Sequence, residues 1–110
     1  MLNNQVTTTT FYDYDFTVYS DLTHEGNPEG MYIFLGLDEC NQTVPLDFGQ
    51  YDNSECNTLL PEIWAKAKCN GCQVFGYRTM LSAGQYQDFS DNLRRDYSLS
   101  LIDLRREVAT

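Results

Sequence analysis

The apolar residues of this chain change their spacing midway, and that change limits the fold more than any other feature. Across residues 11–48 they come at alternate positions or in short runs, whereas Leu60, Ile63, Trp64 and Ala67, and later Tyr86, Phe89 and Leu93, recur three and four apart. A period of two belongs to strands and a period near 3.6 to helices, so the first half should build a sheet and the second should add helices. Within residues 11–22, Tyr12, Tyr14, Phe16 and Val18 fall on one face and Asp13, Asp15 and Thr17 on the other, as in a half-buried strand. Residues 23–30 carry turn chemistry, with Gly26, Asn27, Pro28 and Gly30. Residues 31–37 are nearly continuously apolar and read as a central strand buried on both faces. A turn over 38–42 leads to a third strand around 43–48, where Pro45 points to a sheet edge or a bulge. The three strands are spaced as an antiparallel meander.

Leu60, Ile63, Trp64 and Ala67 then form one helical stripe. Thr58 suits the N-cap, Pro61 and Glu62 the first turn, Lys66 and Lys68 the last, and Asn70-Gly71 the stop. Residues 73–81 read as a fourth strand interrupted by Gly76. Ser82 to Gln85 match a capping box, and Tyr86, Phe89 and Leu93 recur on a second helical face closed by Arg94 and Arg95. Tyr97, Leu99 and Leu101 alternate with serines, giving a fifth strand. The expected fold is α+β in the order β-β-β-α-β-α-β: a mainly antiparallel sheet of about five strands with two helices packed on one face. At 110 residues the chain matches a single domain, placed here at 11–110 after a flexible tail at 1–10.

The formal charge of −9 is unevenly spread. Residues 1–65 hold 11 acids and no Lys or Arg, while residues 66–110 hold all 7 basic residues against 5 acids. Phosphate backbones demand Lys and Arg, so direct nucleic-acid binding is not expected. No stretch is long and apolar enough for a membrane helix, and the polar N-terminus lacks a signal-peptide core. These features place the protein in the cytoplasm with its four cysteines reduced. In that setting the Asn41-Gln42-Thr43 sequon carries little weight.

Candidate chemistry is sparse. Cys69-Asn70-Gly71-Cys72 is the sharpest motif, but zinc needs four ligands, and Cys40 and Cys56 would have to complete an irregular set. A redox pair belongs at a helix start, whereas this one follows a helix and meets its negative end. The plainer reading makes Asn70-Gly71 a turn between core cysteines. His24 is a lone loop imidazole, and no nucleophile elbow, P-loop or dinucleotide fingerprint occurs. The pairs Asp13/Asp15 and Asp38/Glu39 could attract a hard cation, but no calcium-loop spacing follows them. No cofactor is expected.

The aromatics are dense between residues 11 and 19, and Phe11 and Tyr19 share the alternation of Asp13 and Asp15. Tyrosine among acids suits an interface, because it offers apolar area with a polar tip. The leading expectation is a non-enzymatic acidic binding protein that presents Phe11, Asp13, Asp15 and Tyr19 on a tyrosine-rich sheet face to a protein partner or to a second copy as a homodimer. In composition, though in no motif, it resembles the small acidic accessory proteins of phages and other mobile elements, some of which mimic nucleic acid. Two alternatives stand beside it. One is a small-molecule-binding domain or small enzyme with an aromatic-lined pocket between the sheet and the helix of Trp64. The other is a zinc-stabilised domain built on Cys40, Cys56, Cys69 and Cys72.

Overall fold

The computed structural model describes residues 7–20 and 29–105. Five strands run β1 (Thr7–Phe11), β2 (Tyr14–Tyr19), β3 (Gly30–Leu37), β4 (Thr43–Tyr51) and β5 (Cys72–Arg78). Helices α1 (Asn53–Cys56) and α2 (Leu59–Cys69) precede β5, and α3 (Ala83–Asp96) follows it. The strands form one sheet in the order β1-β2-β5-β3-β4, and every neighbouring pair is antiparallel. The α+β class and the five-stranded antiparallel sheet are as the sequence predicts. The element order is β-β-β-β-α-α-β-α rather than β-β-β-α-β-α-β.

The first correction lies at the N-terminal end. Residues 11–22 do not form one strand, because Tyr12 and Asp13 adopt φ of 52° and 73° and reverse the chain. Two successive positive φ values define the tight hairpin turn that matches strand twist. Thr7–Phe11, most of it assigned to the tail by sequence, thereby pairs with β2, with Thr9 opposite Phe16 and Phe11 opposite Tyr14. A tyrosine in the left-handed region is costly, and tertiary contacts hold it there. Its ring stands edge-on to Phe89, and its O–H donates to Asp96 Oδ2 at 2.5 Å and to the carbonyl of Asn92 at 3.2 Å.

The second correction concerns the helices, which cover opposite faces of the sheet instead of sharing one. Side chains alternate along β3, so Tyr32 and Phe34 join Leu60, Ile63, Trp64 and Ala67 of α2 in one core. Met31, Ile33 and Leu35 join Phe89 and Leu93 of α3 in the other. A strand apolar on both faces needs cover on both. The predicted stripe of α2 is buried throughout, at 0–5% exposure. Thr58, the expected N-cap, makes no capping hydrogen bond. The capping box lies one short helix earlier, where Asp52 accepts from the Ser54 and Glu55 amides and Glu55 reaches back to Asp52. The capping box at Ser82 and Gln85 forms as read, and Gly71 takes the φ of +93° that ends α2.

Strand β5 replaces the meander, because it lies between β2 and β3. Gly76 continues β5 rather than interrupting it, opposite Val18 on one side and Ile33 on the other. A Cβ there would stand 2.7 Å from Ile33 Cγ2, so only glycine lets the strands and core meet this closely. Pro45 fulfils both of its expected roles. β4 is an edge strand, and the register slips between Phe34 and Leu35, whose partners are Asp47 and Pro45. The predicted fifth strand at Tyr97–Leu101 is instead a turn, with the Ser100 and Leu101 amides donating to Tyr97 O. The turn sends Tyr97 and Leu101 toward the α3 core, and beyond it Ile102 and Leu104 reach the α2 core.

Candidate functional site

The hairpin disperses the residues expected to form a binding face. Phe11 packs beneath α3, against Phe16 and Tyr97 at ring separations of 6.4 and 6.0 Å. Tyr19 lies on the other face, stacked on Phe75 at 6.2 Å. Asp13 occupies the turn, and Asp15 accepts a hydrogen bond from Thr10 Oγ1. The two aromatic residues thus serve separate cores, and the acids mark the rim of the β1-β2 hairpin.

Trp64 is likewise a core side chain. It is 5% exposed, packs against Phe34 and Phe75 at 5.4 and 6.3 Å, and carries Lys68 over its ring. Cys40 and Cys69 are exposed while Cys56 and Cys72 are buried. Burial holds the Cys72 thiol at about 11, which suits an inert core residue rather than a nucleophile. Among the described residues no three His, Cys, Asp or Glu side chains are grouped to hold a metal ion, so the four-thiolate set does not assemble. His24 and the glycine-rich turn around it lie outside the described residues. Among the described residues no helix is long and apolar enough to cross a membrane.

Two concavities stand at the outer edge of the sheet, and residues 97–105 contribute to both. The larger is a groove of about 570 Å³ lined by Leu37, Asp38, Glu39, Cys40, Val44, Leu46, Leu99 and Ser100. Its apolar walls include Leu37 at 46% and Leu99 at 102% exposure, two of the three large hydrophobic residues that face solvent among the described residues. Asp38 organises the lip by accepting from the Cys40 and Gln42 amides at 2.8 and 2.9 Å. Asn41 completes this tight loop at φ 63°. Two carboxylates, Asp38 and Glu39, therefore sit beside an exposed leucine pair on a well-bonded hairpin.

The smaller concavity, about 210 Å³, curls around β4 and is lined by Asp47, Phe48, Arg94, Ser98, Leu101, Ile102 and Asp103. Asp47 is only 7% exposed and accepts from Tyr32 O–H at 3.2 Å. Burial raises its carboxyl to about 7, Asp103 adds to the rise, and the Phe48 amide, Tyr32 and Arg105 oppose it. Tyr32 is itself pushed far above the usual phenol range, first by burial and then by Asp47. Arg94 lies over the Phe48 ring at 5.1 Å. This space falls below the usual few hundred Å³ of a drug-sized ligand site.

Sequence reasoning missed both concavities. Asp38 and Glu39 were visible as an acidic pair, but Leu99 was assigned to a strand whose alternate residues would be buried. Asp47 falls within the predicted third strand, where spacing alone assigns it no role, and residues 97–105 crossing outside β4 help to bury it. No family model matches this chain, and no curated protein or solved structure shows significant similarity to it.

Proposed function

We propose that this is a non-enzymatic interaction protein that uses the leucine groove, with its acidic lip, to hold an apolar-and-basic segment of a partner protein. The observation that carries this reading is Leu99 standing fully in solvent beside Leu37, Asp38 and Glu39. Exposed leucines rimmed by charge are a common signature of protein contacts. The acidic lip and the net charge of −9 favour a basic segment, and they disfavour a second copy bearing the same lip. The basic residues near the sheet are already engaged: Arg78 over Tyr14, Arg94 over Phe48, and Arg105 beside Glu55. Among the described residues no basic side chain lines the groove, which suits its acidic lip to an external cation-bearing partner. Four free cysteines, two of them buried, accord with a reducing compartment such as the cytoplasm. The accessory role suggested by composition fits the same reading.

The test is an NMR titration of the protein with a peptide of alternating leucine and lysine, against a leucine–glutamate control. Shifts should centre on Leu37, Glu39 and Leu99, weaken steeply with salt, and vanish in Leu99→Ser. Salt-independent binding, equal response to both peptides, or shifts elsewhere would refute the reading. Concentration-dependent shifts of the same signals without peptide would assign the groove to self-association instead.

A further inference from the structure

Residues 97–105 run outside edge strand β4 and are tied to it along their length. Ser100 Oγ donates to Pro45 O at 2.8 Å, and the Ile102 amide donates to Leu46 O at 2.6 Å. Arg105 Nη2 donates to Gln50 O at 2.8 Å, and its Nη1 stands 3.6 Å from Glu55 Oε2. Leu104 is wholly buried in the α2 core. Beneath this segment lies Asp47, in the cavity that Ser98, Leu101, Ile102 and Asp103 help to close.

The groups facing Asp47 can be named from each side. Tyr32 of β3 donates to it; Tyr86 and Arg94 of α3 approach from the second face. Asp103 and Arg105 come from the covering segment, and Glu55 of α1 holds Arg105. This enclosure suits a neutral carboxyl. A carboxylate there would lose most of its hydration and gain Asp103 as a like charge, and burial outweighs the opposing pull of Arg105, which bonds Gln50 O and stands 3.6 Å from Glu55.

We propose that residues 97–105 act as a pH-governed latch, closed over protonated Asp47 and released when Asp47 ionises. Opening admits water to the carboxylate, so ionisation favours the open form. Closed-state burial keeps the proton on until near pH 7, and hydration in the open state returns the carboxyl toward its ordinary range. The latch also carries Leu99 and Ser100, so its release removes one wall of the groove. The proposal holds whatever the groove binds, because its readout needs no ligand.

Hydrogen exchange of the full chain, corrected for intrinsic rates, measures the opening between pH 5 and pH 8. The Ile102 amide should be at least tenfold less protected than the Ile33 amide of β3, showing that the latch opens apart from global unfolding. Its protection should fall a further tenfold or more across that range, and Asp47→Asn should abolish the fall. Carbon NMR of the Asp47 carboxyl in the unaltered protein should show a midpoint near 7. Equal protection of Ile102 and Ile33, a pH dependence that persists in Asp47→Asn, or an Asp47 midpoint near 4 would each overturn the latch.

Discussion

Replacing Phe89 by alanine tests the two-sided architecture at a residue that joins several rings of the second core. Phe89 is 1% exposed and meets four other rings: Tyr12 at 5.8 Å, Tyr14 at 6.0 Å, Phe16 at 5.8 Å and Phe48 at 5.8 Å. Buried Phe→Ala changes cost about 3–5 kcal/mol from lost transfer energy and the cavity left behind. Rigid strands on one side and α3 on the other leave little freedom to collapse, and the edge-on ring contacts add to the loss. About 4–5 kcal/mol is therefore expected, a large share of the roughly 5–15 kcal/mol that holds a domain together. With a urea slope of about 1.5 kcal/mol/M, the midpoint should fall by about 3 M. The assay is equilibrium urea unfolding followed by far-UV circular dichroism and tyrosine fluorescence. A loss below about 2 kcal/mol would mean that α3 does not seal this face, and the account of the second core would fail. The milder pair Phe89→Leu and Ile63→Val extends the test, because these residues lie in separate cores on opposite faces. Their effects should add within about 0.5 kcal/mol. Strong coupling would indicate one shared core.

Asp47 sets a pH dependence of stability whose sign follows from its raised value. The folded state keeps the proton to about pH 7 while the unfolded chain releases it near 4, so stability should decline as pH rises between those limits and level off above. The full decline is about 4 kcal/mol at most, from the cost of a shifted carboxyl. Asp47→Asn should flatten this component in urea midpoints taken from pH 5 to pH 8; an unchanged slope would remove Asp47 as its source. Asp52 and Asp96, both with lowered values, act oppositely: their contributions fade only in acid. Gly76→Ala should cost about 1–3 kcal/mol, since its methyl meets the branched Ile33 side chain and overpacks the core. A melting temperature equal to that of the parent would show that β5 can retreat from β3.

The elements were readable where local chemistry acts alone. The α2 stripe needs only helical spacing, the Ser82 capping box only a hydroxyl three residues before Gln85, and the Asn70-Gly71 stop only a glycine free to take positive φ. Even the bulge at Pro45 follows from a missing amide. The Tyr12-Asp13 turn was hidden because neither residue is glycine; its conformation is held by Phe89, Asn92 and Asp96, far along the chain. The insertion of β5 between β2 and β3 was hidden for a related reason, since antiparallel neighbours carry no mark of each other beyond Gly76.

The candidate site divides in the same way. By itself the sequence determined the acidity of the N-terminal half, the apolar β3 that requires cover on both faces, and the absence of a recognisable catalytic motif. Tertiary structure decided which apolar residues remain in solvent and which acid is buried. Leu99 stays exposed because residues 97–101 turn instead of pairing, and Asp47 is enclosed because the segment after that turn crosses the β4 edge. Periodicity reports a side chain's direction from its own backbone. Exposure and charge state depend on what other parts of the chain place opposite it.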